Sequence, residues 1–538
     1  MRRKKFGAVL LAAAMSVSLI ACGSSNNSST QNTQSTPEET GVKTINVGYM
    51  ANTEKSDETV VIELGSYPDN LWHPLIEGAS TGNEEAVISS CFLDRLVNYD
   101  PEARKVIPGL AESYEVGDKD ITFHIRQGVK MTDGSDLTAD DVVYSANLWK
   151  TNGATSDTGK YIEGVEKVDD TTVKITFNVP AVSMERMLTW SNFGIVSEDE
   201  INALGGLEKA NTNPVMGCGK YKFKEAKTGE YIILERNDNY WDSNYTGYFK
   251  EIKFIFVADA NAAIQAVQAG DAQVADQIAV SQAATFAENE SVHTYLYPNG
   301  EMEHLFFNMG ESHVTSDIRV RQAIAKCLNY DAITATNTAG FGTTALSYFD
   351  PSAGYYVEGW TKEEMAQDIE GAKALLEEAG YNESNPLEIV VYTMQDQVEL
   401  YTVMQNNLAQ AGITLKMEVV DMGGFVPALL FDKTYDIVAI GDDTSYRGPQ
   451  TPQFVCEGIV FGGFGIPLPE HEEILNRLVA ASSDEDAKAI ATEYNEKIKK
   501  DCSVVNLCQN YHAAITATDL KGVTTRERGF IDPTNLYK

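Results

Sequence analysis

The stretch from residue 109 to 152 constrains the fold more than any other part of this 538-residue chain. Apolar and polar residues alternate over Ile121–Ile125, the period of two typical of a strand with one buried face. Gly134 belongs to an Asp-Gly turn, and Thr138 with Asp141 three residues later forms an approximate capping box. A strand, a turn and a capped helix in this order predict a mixed α/β scaffold and not a catalytic centre.

The rest of the chain continues the α/β pattern. Periodicity and turn residues predict strands at Val60–Leu64, Val165–Val168, Thr172–Phe177, Tyr221–Ala226, Tyr231–Arg236, Ile252–Val257, Leu387–Tyr392 and Thr414–Val420. The same signals predict helices at Asn83–Leu96, Glu198–Leu204, Ala260–Ala269, Ile318–Leu328, Ala366–Ala379 and Val398–Ala411. Strand, helix and strand over the range 387–420 form a βαβ-like unit, and the spread of such units predicts lobes rather than one sandwich or barrel.

The first 22 residues read as an export signal. Arg2–Lys5 are positive, and Gly7–Ile20 is an apolar run too short to span a bilayer comfortably. Leu19-Ile20-Ala21 then precedes Cys22, which resembles a bacterial lipobox, so Cys22 is the predicted lipidation site. The alternative is an ordinary signal peptide with an incidental cysteine.

A polar segment follows the signal. Residues 23–58 begin with Ser, Asn, Thr and Gln and few apolar side chains, which predicts a disordered tether. A lipid anchor with a tether would hold an exported body at the outer face of the cytoplasmic membrane.

Net charge and cysteine spacing argue against some classes of partner and site. The formal net charge of −36 argues against a nucleic-acid partner. The remaining cysteines match no metal-ligand spacing, so we expect buried thiols, with Cys502 and Cys508 able to pair only if the chain turns back between them. These cysteines are Cys91, Cys218, Cys327, Cys456, Cys502 and Cys508.

Several motifs occur in a fixed order along the chain. They are GLAESYEV at 109–116, TFHIR at 122–126, LTADDVVYS at 137–145, PVMGCGKY at 214–221, NDNYW at 237–241, FFN at 306–308, DIRVRQAI at 317–324 and AKALLEEAGY at 372–381. Together they resemble the large extracytoplasmic solute-binding proteins of ABC transporters, family 5, the peptide- and nickel-binding group. The resemblance covers almost all of the chain after the tether.

The resemblance implies an α/β, two-lobed periplasmic-binding-protein-like fold of the class II type, with an extra domain inserted in lobe I. Lobe I would consist of residues 59–82, 212–298 and 503–538, the extra domain of 83–211, and lobe II of 299–502. Two crossings between the lobes would form a hinge around a ligand cleft.

The same resemblance implies a monomeric receptor without a cofactor that passes its ligand to an ABC permease and ATPase. An oligopeptide or dipeptide is the expected ligand, with nickel or another small solute as the alternative. Tyr67, Asn70 and Trp72 are cleft candidates because the similar segment in relatives lies beside the ligand. Their alternative role is packing.

One departure bears on the ligand. Peptide binders of the family carry a GWxxDYxxP-like stretch whose aspartate pairs with the peptide ammonium, and here Ser445 stands in its place. Either Asp442 or Asp443 takes over, or the ligand lacks a free amine at this point. Arg447 is placed to pair with a carboxylate or phosphate, and Tyr446 lies beside it. The alternative for this run is a solvated surface loop.

An enzyme is the rival class. Residues 78–82, GASTG, satisfy the GxSxG pattern, but no apolar strand leads into them as a nucleophile elbow requires. The histidines are dispersed, and the chain has no catalytic or metal-ligating motif. We therefore predict no enzyme activity, while an adhesin or chaperone on the same scaffold remains open.

Overall fold

The structure is a computed structural model that describes residues 42–45, 48, 51–68, 83–100, 105–151, 159–210, 217–443, 469–526 and 529–538. The signal, Cys22, most of the tether, the GASTG run and Cys456 lie outside these residues.

The described strands follow the chain in this order. They are β1 (Val42–Thr44), β2 (Thr59–Leu64), β3 (Val97–Asp100), β4 (Lys105–Pro108), β5 (Ala111–Val116), β6 (Asp120–Ile125), β7 (Ile162–Asp169), β8 (Thr172–Phe177), β9 (Tyr221–Lys227), β10 (Tyr231–Arg236), β11 (Glu251–Phe256), β12 (Val274–Ile278), β13 (Val292–Phe307), β14 (Glu388–Thr393), β15 (Thr414–Val419), β16 (Ile437–Asp443), β17 (Val504–Ala517), β18 (Thr525–Arg526) and β19 (Phe530–Ile531).

The described α-helices alternate with these strands. They are α1 (Asn83–Phe92), α2 (Ala139–Thr151), α3 (Ala181–Glu185), α4 (Glu198–Leu204), α5 (Leu207–Ala210), α6 (Ala260–Ala269), α7 (Val280–Ala284), α8 (Ile318–Cys327), α9 (Tyr330–Asn337), α10 (Ile369–Glu378), α11 (Val398–Ala409), α12 (Met422–Pro427), α13 (Pro469–Val479) and α14 (Asp484–Asp501).

One large sheet organises the molecule. Its strand order is β1-β13-β17-β12-β2-β11-β10-β9, with β16 also paired to β13. Strands β11 and β12 both run parallel to β2, so the carboxyl ends of all three meet at one edge. The strands predicted at Tyr221–Ala226 and Tyr231–Arg236 are confirmed as β9 and β10, which pair antiparallel as a hairpin.

Two long strands connect two hydrophobic cores. Leu296 of β13 and Ala513 of β17 are paired and belong to the core around α6. Leu305 near the end of β13 and Leu507 near the start of β17 lie in a second core with α8, α11 and β14. Each strand therefore leaves one core and enters the other.

The register of the two long strands shifts where they cross between the cores. Pro298 pairs with Tyr511 and Met302 with Gln509, with an irregularity between these pairs. Leu507 packs in the second core, so β17 crosses between the cores near Asn510.

The second core contains the predicted βαβ unit. Strands β14 and β15 are parallel in register from Glu388 opposite Thr414 to Thr393 opposite Val419. Helix α11 connects them and buries Leu400, Met404 and Leu408. The prediction of this unit is confirmed.

The stretch that constrained the fold forms part of a four-stranded sheet, β5-β6-β8-β7, packed against α2. The capping box is present, because Thr138 N donates to Asp141 Oδ2 at 2.9 Å and Asp141 N donates to Thr138 Oγ1 at 3.3 Å. This sheet shares one hydrophobic core with β2 and β11.

Two predicted helices are each four residues shorter than the sequence indicated. Helix α1 ends at Phe92 and not at Leu96, because the Phe92 and Leu96 carbonyls accept hydrogen bonds from other segments of the chain. Helix α10 begins at Ile369 and not at Ala366, because Asp368 caps it by accepting from Gly371 N.

Candidate functional site

The candidate binding region lies where the chain crosses between the two cores. The register places Ile278, the last residue of β12, opposite Ala513 and thus close to the crossing. Strands β2 and β11 end at the same edge. In open parallel sheets the crevice at the carboxyl ends of the strands is the usual ligand position.

A buried carboxylate fixes this edge. Asp276 accepts hydrogen bonds from the hydroxyl of Tyr297, from Gln277 N at 2.9 Å and from Ile531 N at 2.9 Å. Burial raises the pKa of Asp276, and these three donors oppose that rise. Because it holds β12, β13 and the C-terminal segment together, Asp276 serves as a structural group.

A polar network lines the first crossing on β13. Asn299 Nδ2 donates to Glu301 Oε2 at 2.9 Å and lies 3.4 Å from His512 Nε2. The other ring nitrogen of His512 lies 3.3 Å from Gly529 O, which assigns the proton to Nδ1 and leaves Nε2 as the acceptor. Burial lowers the pKa of His512, so the ring is neutral in this network.

The second crossing continues the network into the other core. Asn510 Nδ2 donates to Glu303 Oε2 at 2.8 Å, and Asn510 Oδ1 accepts from Asn337 Nδ2 at 2.7 Å. Gly441 of β16 lies against this group: a Cβ at that position would stand 2.9 Å from Glu301 Oε2. A side chain at position 441 would therefore displace the Glu301 carboxylate from its place beside the crossing.

The predicted lobe II loop begins at the end of β16. Asp442 pairs with Met302 and Asp443 with Glu301, which places both backbones beside the crossing. The side chains of these two aspartates, and all of Ser445, Tyr446 and Arg447, lie outside the described residues. Their role as ligand contacts stays a prediction.

Of the three candidates in the first loop, the structure describes Tyr67. Its ring packs edge to face on Phe256 with centroids 4.8 Å apart, at the margin of the first core. This packing lies at the same edge as the carboxyl end of β2, and the role of Tyr67 as a ligand contact stays a prediction. Asn70 and Trp72 lie outside the described residues.

The polar side chains at this edge were not predicted from the sequence; they are Glu63, Gln277, Asn299 and Glu301. Glu63 gave a signal, as a charged residue in the otherwise apolar strand Val60–Leu64. Asn299 and Glu301 gave none, because neither long strand was predicted.

The described cysteines confirm the expectation of buried thiols. Cys91, Cys218, Cys327, Cys502 and Cys508 are all free and buried. Within the described residues no group of three or more His, Cys, Asp or Glu side chains is arranged to hold a metal ion. None of the described helices has the length and apolar character needed to cross a membrane.

Comparison with known proteins identifies the class. The family described as "Bacterial extracellular solute-binding proteins, family 5 Middle" matches residues 105–455. The chain belongs to this family, and its fold is the two-lobed fold of the periplasmic binding proteins. It is a solute-binding receptor of an ABC importer and not an enzyme.

Particular relatives are more distant. The chain is 26% identical to the dipeptide-binding protein of Escherichia coli (strain K12) over 363 residues, covering 62% of this chain and 67% of that protein. It is 27% identical to the glutathione-binding protein GsiB of Shigella flexneri over 389 residues, covering 70% and 73%. The ABC transporter substrate-binding protein CtaP of Listeria monocytogenes superposes with a TM-score of 0.78 at 22% identity, covering 90% and 99%.

Proposed function

We propose that this chain captures an oligopeptide or dipeptide outside the cell and delivers it to an ABC permease and its ATPase. The observation that carries the proposal is the crossing itself. The carboxyl ends of β2, β11 and β12 reach it from one core, and Gly441 at the end of β16 reaches it from the other. A ligand held there touches both lobes, so its binding favours the closed arrangement of a hinged receptor.

The relatives support a peptide. One is named for dipeptides and another for glutathione, which is itself a small peptide. Extended peptides present backbone donors and acceptors, and strand ends offer complementary groups. Tyr67, Asn70 and Trp72 would form the lobe I side of the cleft.

The loop after β16 would form the opposite side. The proposed contacts are Asp442, Asp443, Ser445, Tyr446 and Arg447. Position 445 is a serine here, so Asp442 or Asp443 would pair with a ligand ammonium. Arg447 would pair with a carboxylate at the other end of a short peptide.

The peptide assignment is tested by thermal unfolding of the Cys22→Ala chain with a pool of random di- to tetrapeptides. Ligand at a hundredfold excess over its Kd stabilises the protein by about 2.7 kcal/mol, which raises the unfolding temperature. Asp443→Ala and Arg447→Ala are each expected to weaken the peptides that bind.

Two results would contradict parts of this assignment. A shift with nickel and histidine or with a sugar, and none with any peptide, rejects the peptide ligand. Unchanged peptide affinity in both loop variants removes the loop from the site and leaves the receptor role intact.

We further propose that Cys22 carries a lipid and that the tether holds the receptor at the outer face of the membrane. Two acyl chains provide the two hydrophobic anchors that stable attachment needs. Cys22→Ala is expected to move the protein from the membrane fraction to the soluble exported fraction. Continued sedimentation of this variant with membranes would contradict the lipid anchor.

A further inference from the structure

A small cavity opens at the carboxyl end of β2, close to the crossing. Its volume is about 170 Å³, and we call it the Glu63 pocket after one of the residues that line it. The walls include Gly65, Ala260, Ala263, Asp276 and Gln277. A water molecule takes about 30 Å³ of liquid, so the pocket has room for the end of a side chain.

Glu63 is unusual for its place in the fold. It lies in the middle of the large sheet, between Ile255 of β11 and Ala275 of β12, and is only 3% exposed. Its Oε2 atom has no hydrogen-bond partner among the described residues. A buried carboxylate without a partner is costly, and such groups usually have a ligand, an ion or water as partner.

A second unpaired group lines the same pocket. Gln277 Nε2 is buried and has no partner within the described part of the chain. The backbone of Gln277 is left-handed, with φ of 57°, a conformation that is strained for a residue with a side chain. Asp276 holds that conformation by accepting from Gln277 N, and strain of this kind concentrates at functional sites.

The charges around the pocket have one sign. Glu84 and Asp276 line it together with Glu63, and Asp271 lies near enough to act on Glu63. The residues described in the pocket wall include no lysine or arginine. Burial first, and Asp271 second, raise the pKa of Glu63 to about 7, so this carboxyl lacks a compensating cation.

We propose that the Glu63 pocket receives a cationic group of the bound solute, the ammonium or guanidinium of a lysine or arginine side chain. Glu63 accepts from the cation, and Gln277 Nε2 donates to a carbonyl oxygen of the same ligand. The Glu63 carboxylate is buried among other acidic side chains, and a cation of the ligand would supply its missing partner. An anion or an apolar group would leave the carboxylate unpaired. The inference rests on the proposed function, since it names the solute for that cleft.

Calorimetric titration of the Cys22→Ala chain tests this with the tripeptides Ala-Lys-Ala and Ala-Arg-Ala. Ala-norleucine-Ala serves as the matched ligand, because norleucine keeps the aliphatic chain without the ammonium. At pH 8 the cationic peptides are expected to bind at least about tenfold more tightly. At pH 5.5 Glu63 is mostly neutral, so the preference is expected to shrink.

The variant that isolates the pocket is Glu63→Gln, which keeps the size of the side chain. It is expected to abolish the preference for the cationic peptides while the norleucine peptide binds within about twofold of its original affinity. Glu58→Gln, an exposed position next to the start of β2, is the matched control and is expected to keep the preference. Circular dichroism establishes that each variant is folded.

The outcomes separate the two proposals. If the tripeptides bind but the original protein shows no preference for a cation, or if Glu63→Gln keeps that preference, the inference is overturned and the peptide receptor stands. If none of the tripeptides binds the original protein, the peptide assignment fails and the inference fails with it. Occupancy of the pocket by water alone predicts the first of these results.

Discussion

Arg321 illustrates how a single residue of a recognised motif acts in the fold. It is buried on α8, and its guanidinium donates to the carbonyls of Thr315, Ser316, Asp501 and Cys502 at 2.8–2.9 Å. Burial lowers the pKa of Arg321, and nearby acidic groups oppose this change. The arginine of the DIRVRQAI motif therefore joins the turn before α8 to the end of α14.

Replacing this guanidinium tests that role. Arg321→Met is expected to lower the free energy of unfolding by about 3 kcal/mol. The four buried carbonyl oxygens would lose their charged donor, and methionine offers no hydrogen bond to replace it. Arg319→Met on the same helix is the control, and its exposed pair with Asp317 predicts a change below about 1 kcal/mol. Urea unfolding followed by circular dichroism measures both. Equal effects would contradict the structural role of Arg321.

Residue-level signals predicted the ends of elements better than the site. Gly270 terminates α6 in the left-handed region, with φ of 84°, as its place after the apolar run indicated. Glu63 is a charged residue in a strand, which the sequence shows, but the pocket that it lines brings it near Gln277, more than two hundred residues away in the chain. Local patterns contain no information on such a contact.

At the scale of elements, local chemistry decided which predictions succeeded. The capping box of Thr138 and Asp141 and the hairpin of β9 and β10 involve neighbours in sequence, so their residues specify them directly. Asp141 also accepts from Glu198 N at 3.0 Å, which links α2 to α4. That second bond is long-range and was not predictable.

The two long strands show the opposite case. Strand β13 contains Pro298, Asn299 and Gly300, which read as a turn, yet the chain continues as a strand through them. Pairing with β17 on one side overrides the local preference, and the irregular register at the crossing accommodates these residues. The two strands that connect the cores were therefore the ones that sequence periodicity could not find.

At the scale of the whole molecule, family motifs predicted the class while the ligand stayed open. The motifs from GLAESYEV to AKALLEEAGY belong mainly to the scaffold, and the solute-binding fold that they implied is confirmed. The proposed cleft would draw on segments far apart in sequence, including Glu63, Gln277, Asn299 and Gly441. Local patterns do not show which segments come together, so the sequence indicated the receptor but not its solute.

Closure of the two lobes around a peptide is the central claim, and small-angle X-ray scattering of the Cys22→Ala chain tests it most directly. With a peptide that stabilises the protein present at saturation, the radius of gyration is expected to decrease, because a ligand touching both sides of the crossing favours the closed form. A radius of gyration that is the same with and without every peptide would contradict this account.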